Sequence, residues 1–238
     1  GGLGRLLRLL GEIPGLLRLR YTTSHPTDMN EDLIAAHGQV EALMPFLHLP
    51  IQSGSDKVLA RMNRRHGVGD YRKKVDLLWQ ARPDLKLATD FIVGFPGETD
   101  EDFRQTLDLA RDLEFIQAYS FKYSLRPGTP AADMEDQVPD TLKSERLVEL
   151  QDLLNGNQTR FNRSCVGQDF PVLIDRPGRK PGQFAGRSPY MQPVHVTPAD
   201  GTQEAALMGE VMDLHITAGH ANSLSGVPVK QNLEGPGG

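Results

Sequence analysis

The sequence predicts an α/β protein in which parallel strands alternate with helices, followed by a small all-β domain. In the first two thirds of the chain, strand-like apolar runs recur about every 30 residues with helix-like segments between them, which is typical of parallel βα units. After about Arg163, short β-like runs separated by turn-rich stretches replace this pattern, as in a small barrel or sandwich. We therefore expect a βα domain over residues 1–162 and a β domain over residues 163–238.

The first domain is predicted to open with a helix over residues 1–15 and then to alternate strands with helices. The predicted strands are Leu16–Thr23, Pro45–Ile51, Leu85–Gly94 and Phe115–Ser124. The helices predicted after the opening one are Glu31–Val40, Asp56–Met62, Asp70–Ala81, Asp100–Leu113 and Thr141–Arg160. We expect Ser55, Gly69 and Thr99 to be N-caps.

Four strands are too few to close a barrel, so either this sheet is open or further βα units precede Gly1. The opening helix leads directly into the first predicted strand, which favours further units. Each strand runs into a polar loop rich in Gly, Pro or Ser. Because folds of this class place their sites at the carboxyl ends of parallel strands, we expect the site in these loops.

The second domain is predicted to begin between Asn162 and Cys165 and to consist of short strands joined by turns. The predicted strands are Phe170–Asp175, Gln183–Gly186, Pro193–Thr197 and Gly209–Ile216. The last residues, Leu233–Gly238, are rich in glycine and are expected to fray.

Composition excludes several classes of protein. The chain has 238 residues, 38% of them hydrophobic and 24% charged, as in an ordinary globular protein. No apolar run is long enough to span a membrane and no secretory signal is visible, so we expect a cytoplasmic protein. The single cysteine, Cys165, fits a reducing compartment and excludes a disulfide, a four-cysteine zinc site or a three-cysteine iron–sulfur site within the chain. With a net charge of −5, any contact with RNA must come from a local patch.

The loop in Asp90–Thr99, with sequence DFIVGFPGET, is the most informative. An apolar strand breaks at Gly94 into small residues, which let a flat ligand approach the backbone, and the following helix start offers free amides. The residue pattern alone gives a tight turn without a ligand the same weight.

The loop after the second predicted strand carries Gln52, Ser53 and Ser55, whose amide and hydroxyl groups suit a ribose or an amino-acid head group. Further along, Arg64 and its arginine neighbours are candidates for a carboxylate. The alternative is a serine N-cap and a solvated basic helix end, and for any single arginine this alternative is favoured. Ser24 and His25 follow the first predicted strand as candidate substrate contacts, although a loop histidine is more often a surface residue.

A basic stretch marks the second domain. Residues 176–187 contain no acidic residue, and aromatic residues lie nearby, which suits phosphate contact and base stacking. The candidate RNA-binding residues are Arg176, Arg179, Lys180 and Arg187. From composition alone, a solvated hairpin without RNA contact is an equally favoured interpretation of this stretch.

Together these motifs resemble the radical S-adenosylmethionine (SAM) methylthiotransferases. The segments TTSHP, FLHLPIQSGSDKVLARMNRRH, DFIVGFPGETDEDF and SFKYSLRPGTPA occur in that family's order. The tail, with GRSPYMQPVHV and ITAGHANSLSG, resembles the family's TRAM domain, a small RNA-binding β-barrel. TTSHP and HLPIQSGSD are most similar to the branch that acts on tRNA, the MiaB type.

The resemblance implies a partial barrel of parallel strands that binds SAM and two 4Fe-4S clusters, one of them held by a CxxxCxxC loop. No such loop occurs in this sequence, so the parent protein is expected to be active and this chain alone inactive, with no catalytic residue of its own. By resemblance, Ile92, Val93 and Gly94 line the adenine of SAM, and Glu98 is a further cofactor-binding residue. Gln52, Ser53 and Ser55 are expected to face the ribose or methionine part, and Arg64 the methionine carboxylate.

The expected reaction is insertion of a methylthio group at carbon 2 of N6-isopentenyladenosine, next to the anticodon. The expected partner is the anticodon stem-loop of tRNA, with no protein partner and no membrane. Alternatives are a methylthiotransferase for threonylcarbamoyladenosine or a ribosomal protein, and an inert RNA-binding fragment. The remaining alternative is an unrelated βα enzyme with similar loops.

Overall fold

The computed structural model describes residues 2–22, 25–197 and 208–229. The chain divides into two compact units, Gly1–Asn157 and Gln158–Gly238. The division lies within a helix, α6 (Asp140–Ser164), and the predicted boundary falls at the end of the same helix. The two units are described separately below.

The first unit is a three-stranded parallel sheet with helices between its strands, which confirms the predicted α/β class. The strands are β1 (Phe46–His48), β2 (Lys86–Val93) and β3 (Gln117–Lys122), in the order β1-β2-β3. The helices before α6 are α1 (Leu3–Gly11), α2 (Glu31–Gln39), α3 (Asp56–Arg61), α4 (Val68–Ala81) and α5 (Asp100–Leu113). Two short 3-10 turns lie at Pro26–Asp28 and Pro130–Ala132.

Over its described residues, 16–22, the predicted strand Leu16–Thr23 is wrong, and the described sheet has three strands where four were predicted; Thr23 lies outside the described residues. Only Leu19 pairs, in an isolated parallel bridge with Leu43: its N–H donates to Ala42 and its carbonyl accepts from Met44. The ladder stops there because the neighbouring segment is a turn followed by a bend, and a ladder needs two extended partners.

Two of the three predicted N-caps are confirmed. The Ser55 hydroxyl accepts from the N–H of Val58, and the Thr99 hydroxyl accepts from the N–H of Asp102. The prediction for Gly69 is wrong, because α4 begins two residues earlier with Gly67 as its N-cap. The Asp56 carboxylate accepts from the N–H of Val68 at 2.6 Å, which anchors the earlier start.

The two faces of the sheet differ. One face packs on the helices through Leu47, Leu87 and Phe91, and the Phe91 ring meets Phe115 edge-on. Residues on the other face are in register across the strands, Asp90 beside Tyr119 and Ile92 beside Phe121. We call this the open face and define it by His48, Asp90, Ile92, Tyr119 and Phe121. Tyr119 and Phe121 are 53% and 54% exposed.

The second unit is a closed five-stranded barrel, which confirms the predicted small β-barrel. Its strands are β4 (Asp169–Pro177), β5 (Phe184–Arg187), β6 (Pro193–Val196), β7 (Val211–Gly219) and β8 (Leu224–Pro228). The order is β4-β5-β6-β8-β7, with β7 paired to β4 and only β6 and β8 parallel. Its core is built from alternate positions of these strands, including Val172, Ile174, Val194, Leu214 and Leu224.

The sequence did not predict β8. Its residues, LSGVP, include a serine and a glycine and read as a turn. The strands approach closely here: a β-carbon on Gly226 would lie 3.0 Å from the carbonyl oxygen of His215, so a larger residue would require this backbone to shift. Among the residues that the structure describes, no helix is long and apolar enough to cross a membrane.

Candidate functional site

The loop after β2 turns through two glycines in the left-handed region, Gly94 at φ 68° and Gly97 at φ 79°. A β-carbon on Gly94 would collide with the side chain of Lys143 in α6. The close approach that the sequence predicted at Gly94 is therefore made by a lysine side chain of this unit. A contact of Gly94 or Val93 with a cofactor stays a prediction.

Glu98 holds this loop in shape. Its Oε1 accepts from the backbone N–H of Gly94 at 2.8 Å and from Arg146 at 2.9 Å, and its side chain is 1% exposed. Arg146 also donates to Asp100 at 2.6 Å. Burial raises the pKa of Glu98, and the N–H of Gly94 and the Arg146 guanidinium oppose this shift. The loop is thus tied to α6 by a buried ion pair, and a cofactor role for Glu98 stays a prediction.

The predicted hydroxyl groups of the Gln52 loop are engaged inside the unit. Ser55 donates to Asp102 at 2.7 Å, and the Ser53 hydroxyl lies 3.3 Å from that of Thr106. Burial alone would raise the pKa of Asp102, but hydrogen bonds from Ser55, Thr99 and Lys57 lower it. Both serines are buried and join α3 to α5, so their contact with a ribose stays a prediction.

Gln52 and Ile92 are brought together at the carboxyl end of the sheet. Gln52 adopts φ 76°, and its backbone pairs with that of β2 through Asp90 and Ile92. Arg64 is half-buried, and no ion pair to it occurs within the described residues. Burial lowers the pKa of Arg64, and the charge of Asp90 opposes this shift.

Three residues near the site were not predicted from the sequence: Asp90, His48 and His66. The Nε2 atom of His48 lies 3.3 Å from Asp90 Oδ2 on the open face. His66 is buried, and neither of its ring nitrogens has a hydrogen-bond partner in the described part of the chain. Strand alternation could have found Asp90, because it lies two residues before Ile92 and so shares its face. No local pattern marks His66.

His25 lies beside His66, their ring centroids 4.8 Å apart and nearly perpendicular. Its Nδ1 accepts from the N–H of Thr27 and caps the first 3-10 turn. Burial, with the charge of Arg64 next, lowers the pKa of His25. Burial, with His25 next, lowers the pKa of His66, so both rings favour the neutral form. The other predicted residue of this loop, Ser24, lies outside the described residues.

In the second unit, Arg176, Arg179 and Lys180 line a groove of about 640 Å³ on the outside of the barrel. The fourth predicted residue, Arg187, is not in it; it donates to the carbonyl of Met191 at 3.1 Å. The sequence analysis also missed two histidines of the groove, His195 and His220.

Comparison with known families assigns both units. Residues 2–110 match the radical SAM superfamily, and residues 163–229 match the TRAM domain. The chain is a radical SAM domain followed by a TRAM domain. The predicted architecture is thereby confirmed at this level.

One of two similar solved structures supports the fold of this domain. Coproporphyrinogen III oxidase (HemN) from Escherichia coli, a radical SAM enzyme, is 19% identical with a TM-score of 0.50, over 68% of this chain and 38% of that chain. Archaeal Elp3 from Methanocaldococcus infernus is 20% identical with a TM-score of 0.44, over 58% of this chain and 32% of that chain. The chain thus spans well under half the length of these two proteins.

The two cofactors implied by a radical SAM domain differ in how they fit this chain. Arg64 and Gln52 offer a guanidinium and an amide at the strand ends, and they fit the carboxylate and polar groups of SAM. A 4Fe-4S cluster held by three thiolates does not fit, because the sequence has one cysteine. That residue, Cys165, is buried in the second unit and donates to the carbonyl of Phe161 at 3.2 Å. Within the described residues, no group of three or more His, Cys, Asp or Glu could hold a metal ion.

Proposed function

We propose that the chain serves in a radical SAM methylthiotransferase that modifies tRNA. The observation that carries this proposal is the succession of a radical SAM domain and a TRAM domain in one chain, a combination consistent with RNA-modifying enzymes. The motif resemblance supports the finer assignment: a methylthio group is inserted at carbon 2 of N6-isopentenyladenosine, next to the anticodon.

In this proposal the radical SAM domain binds and orients SAM at its strand ends. When bound, SAM supplies the reactive chemistry, and the protein supplies position and electrostatics. Arg64 donates to the methionine carboxylate, because its guanidinium is half-buried without an ion pair among the described residues. Gln52 presents its amide to the ribose side, and the backbone at Ile92 borders the adenine.

The rigid Gly94 loop fixes the distance between this end of the sheet and α6. Because Glu98 ties the loop to Arg146, the backbone of the loop does not need a ligand to keep its conformation. The ligands of both proposed 4Fe-4S clusters must be supplied by residues other than the single cysteine of this chain.

The TRAM domain is proposed to bind the anticodon stem-loop through its basic residues. Arg179 and Lys180 are exposed, and no ion pair to either occurs within the described residues, so both charges are available to phosphates. Arg176 forms an ion pair with Asp175, whose carboxylate lies 3.2 Å away.

Deletion of the gene in its host tests the function, with modified nucleosides of bulk tRNA measured by mass spectrometry. The proposal expects loss of the 2-methylthio form of N6-isopentenyladenosine, accumulation of the unmodified form, and restoration by the intact gene. Loss of the 2-methylthio form of threonylcarbamoyladenosine would favour that alternative substrate. Unchanged levels of both would refute tRNA methylthiotransfer and direct the search to a ribosomal protein.

A second candidate is RNA binding without catalysis by this chain alone, favoured by the single cysteine. Deletion of the gene separates the two, because it removes the 2-methylthio nucleoside only if the chain serves in the enzyme.

A further inference from the structure

The groove of the TRAM domain has a floor and two walls. Strand register aligns Arg176 with Ala185, Ala185 with His195, and His195 with Ser225, in one lateral row across β4, β5, β6 and β8. The turn between β4 and β5 forms one wall, and the turn between β7 and β8 forms the other. This row and these turns surround about 640 Å³, within the range of roughly 300–1,000 Å³ for small-ligand sites.

Among the residues that the structure describes, the lining of the groove carries positive charge and no acidic residue. The cationic or titratable side chains are Arg176, Arg179, Lys180, His195 and His220. The nearest acidic side chain on β4 is Asp175, which is ion-paired to Arg176 and does not line the groove. In a chain of net charge −5, such a concentration of basic groups favours an anion.

The neutral polar groups fit a nucleotide. Gln183, Asn222 and Ser223 offer amides and a hydroxyl that can reach base edges or a 2′-hydroxyl. Domains specialised for double-stranded RNA contact two successive minor grooves over about 16 base pairs, a length that far exceeds this groove. One or two nucleotides of a single strand match its size.

One ring nitrogen of His195 makes no hydrogen bond among the described residues. Its Nδ1 atom is buried, with no hydrogen bond in the described part of the chain. Burial first, and then the charges of Arg176, Arg179 and His220, lower the pKa of His195. Its register partners Ala185 and Ser225 carry no charge, and His220 is hydrogen-bonded to Ser225 at 3.1 Å. An incoming anion would offset the positive charge of Arg176 and Arg179.

We propose that this groove binds the phosphodiester of a single RNA strand and that His195 takes up a proton when the phosphate arrives. The site therefore binds RNA more tightly as pH falls. The proposal rests on the proposed function for its choice of RNA as the anion, and it adds two histidines and a coupled proton to the basic residues inferred from sequence.

The direction in which RNA affinity changes with pH follows from the linkage between proton binding and RNA binding. The free ring is neutral at neutral pH, and a bound phosphate favours its charged form. Between the free and the bound pKa of His195, binding takes up as much as one proton, so affinity rises up to tenfold for each unit by which pH falls. Above the bound pKa the affinity becomes independent of pH.

The test is fluorescence anisotropy of the full chain with a labelled ten-nucleotide single-stranded RNA, at constant ionic strength between pH 6 and pH 8. We expect wild type to bind at least about threefold more tightly at the lower pH. His195→Gln should remove this dependence. His215→Gln is the matched control, because His215 lies on the same barrel, outside the groove, and bonds to Asp169. The control should keep the wild-type dependence.

Two results would overturn the proposal: a pH dependence that persists in His195→Gln, or duplex RNA that binds as tightly as the single strand. NMR titration of His195 in the unaltered chain covers the case in which the variant misfolds. Added RNA should raise the pKa of His195, and an unmoved pKa would refute proton uptake. The nucleoside measurement above tests methylthiotransfer independently. The modified nucleosides can be unchanged by the gene deletion while the groove still binds RNA, and they can be lost although the groove does not bind RNA.

Discussion

At the scale of single residues, the pair formed by Arg146 and Glu98 is the most consequential contact of the radical SAM domain. Both side chains are at most 4% exposed, and Arg146 reaches the loop from α6, beyond the residues that match the radical SAM superfamily. Removing one partner of a buried pair leaves an uncompensated charge, which costs far more than the pair contributes.

Arg146→Met should therefore destabilise the first unit by about 3–5 kcal/mol, measured by chemical denaturation with far-UV circular dichroism. The double variant Glu98→Gln with Arg146→Met should be milder than the single one, because no charge is left buried. Arg111→Ala is the control: Arg111 forms an exposed pair with Asp108, and its loss should change stability by less than about 0.5 kcal/mol. A loss below about 1 kcal/mol for Arg146→Met would contradict the interpretation.

The lowered pKa of Asp102 is expected to make the free energy of unfolding depend on pH in the acid range. Its pKa is lowered in the folded chain, so the unfolded state binds more protons as pH falls below about 4. The contribution of Asp102 is present above the unfolded pKa and is lost as pH falls towards the folded one. Asp102→Asn should flatten the acid limb of a plot of unfolding free energy against pH. Asp108→Asn, which changes an exposed carboxylate, should leave the limb unchanged, and equal curves for Asp102→Asn and wild type would reject the assignment.

At the scale of elements, sequence reasoning succeeded where one pattern decided the structure. The helix Asp100–Leu113 has its predicted bounds because Thr99 and Asp102 cap it locally. The segment Leu16–Thr23 failed because pairing depends on a distant partner, and that partner is a turn. Likewise, β8 depends on a close approach to β7 at Gly226 that no local pattern encodes.

The candidate site followed the same division. The positions of Gln52 and Ile92 at strand ends were predictable because strand ends can be located from sequence: Gln52 forms an isolated bridge with Phe91, the residue before Ile92. His66 and His195 could not be found, because their significance lies in what surrounds them after folding: a buried ring without a partner, and a row of residues from four strands.

Gly94→Val tests the loop that follows β2. Valine would be strained at φ 68° and would collide with Lys143, so the first unit should lose stability and SAM affinity together. The barrel should melt as in wild type. Gly69→Ala is the matched control, because Gly69 lies in α4 with open space around its α-carbon, and alanine there should be neutral or stabilising by up to about 1 kcal/mol. Unchanged SAM binding by calorimetry would count against the site.

At the scale of the whole molecule, the chain joins a domain suited to a small cofactor to a domain suited to RNA. The basic groove, whose described lining has no acidic residue, occurs in a chain of net charge −5, so its field is local and is screened within a Debye length of about 8 Å at physiological salt. We expect RNA affinity to fall steeply with salt and SAM affinity to change little.

Arg179→Ala with Lys180→Ala should weaken tRNA binding and flatten its salt dependence by roughly two phosphate contacts. Filter binding at several salt concentrations measures this slope, and SAM binding serves as the internal control. Parallel lines for variant and wild type would mean that these two side chains are solvated and that RNA binds elsewhere.

Anaerobic reconstitution of the chain with iron and sulfide should yield no stoichiometric 4Fe-4S cluster, because one cysteine cannot supply three thiolates. Chemical analysis of iron and sulfide decides it, with Cys165→Ser as the comparison. Loading of four irons per chain would overturn the prediction.

The hydrogen bond from the Trp79 indole to the carbonyl of Leu85 has an optical consequence. Trp79 is the single tryptophan of the chain and lies in the first unit, so its emission reports on that unit. The barrel has Tyr190 as its only tyrosine, packed edge-on against Phe161 and Phe170. Selective excitation of indole therefore follows the unfolding of the first unit alone, because the second unit has no tryptophan to emit. The measurement needs no label and no cleavage of the chain.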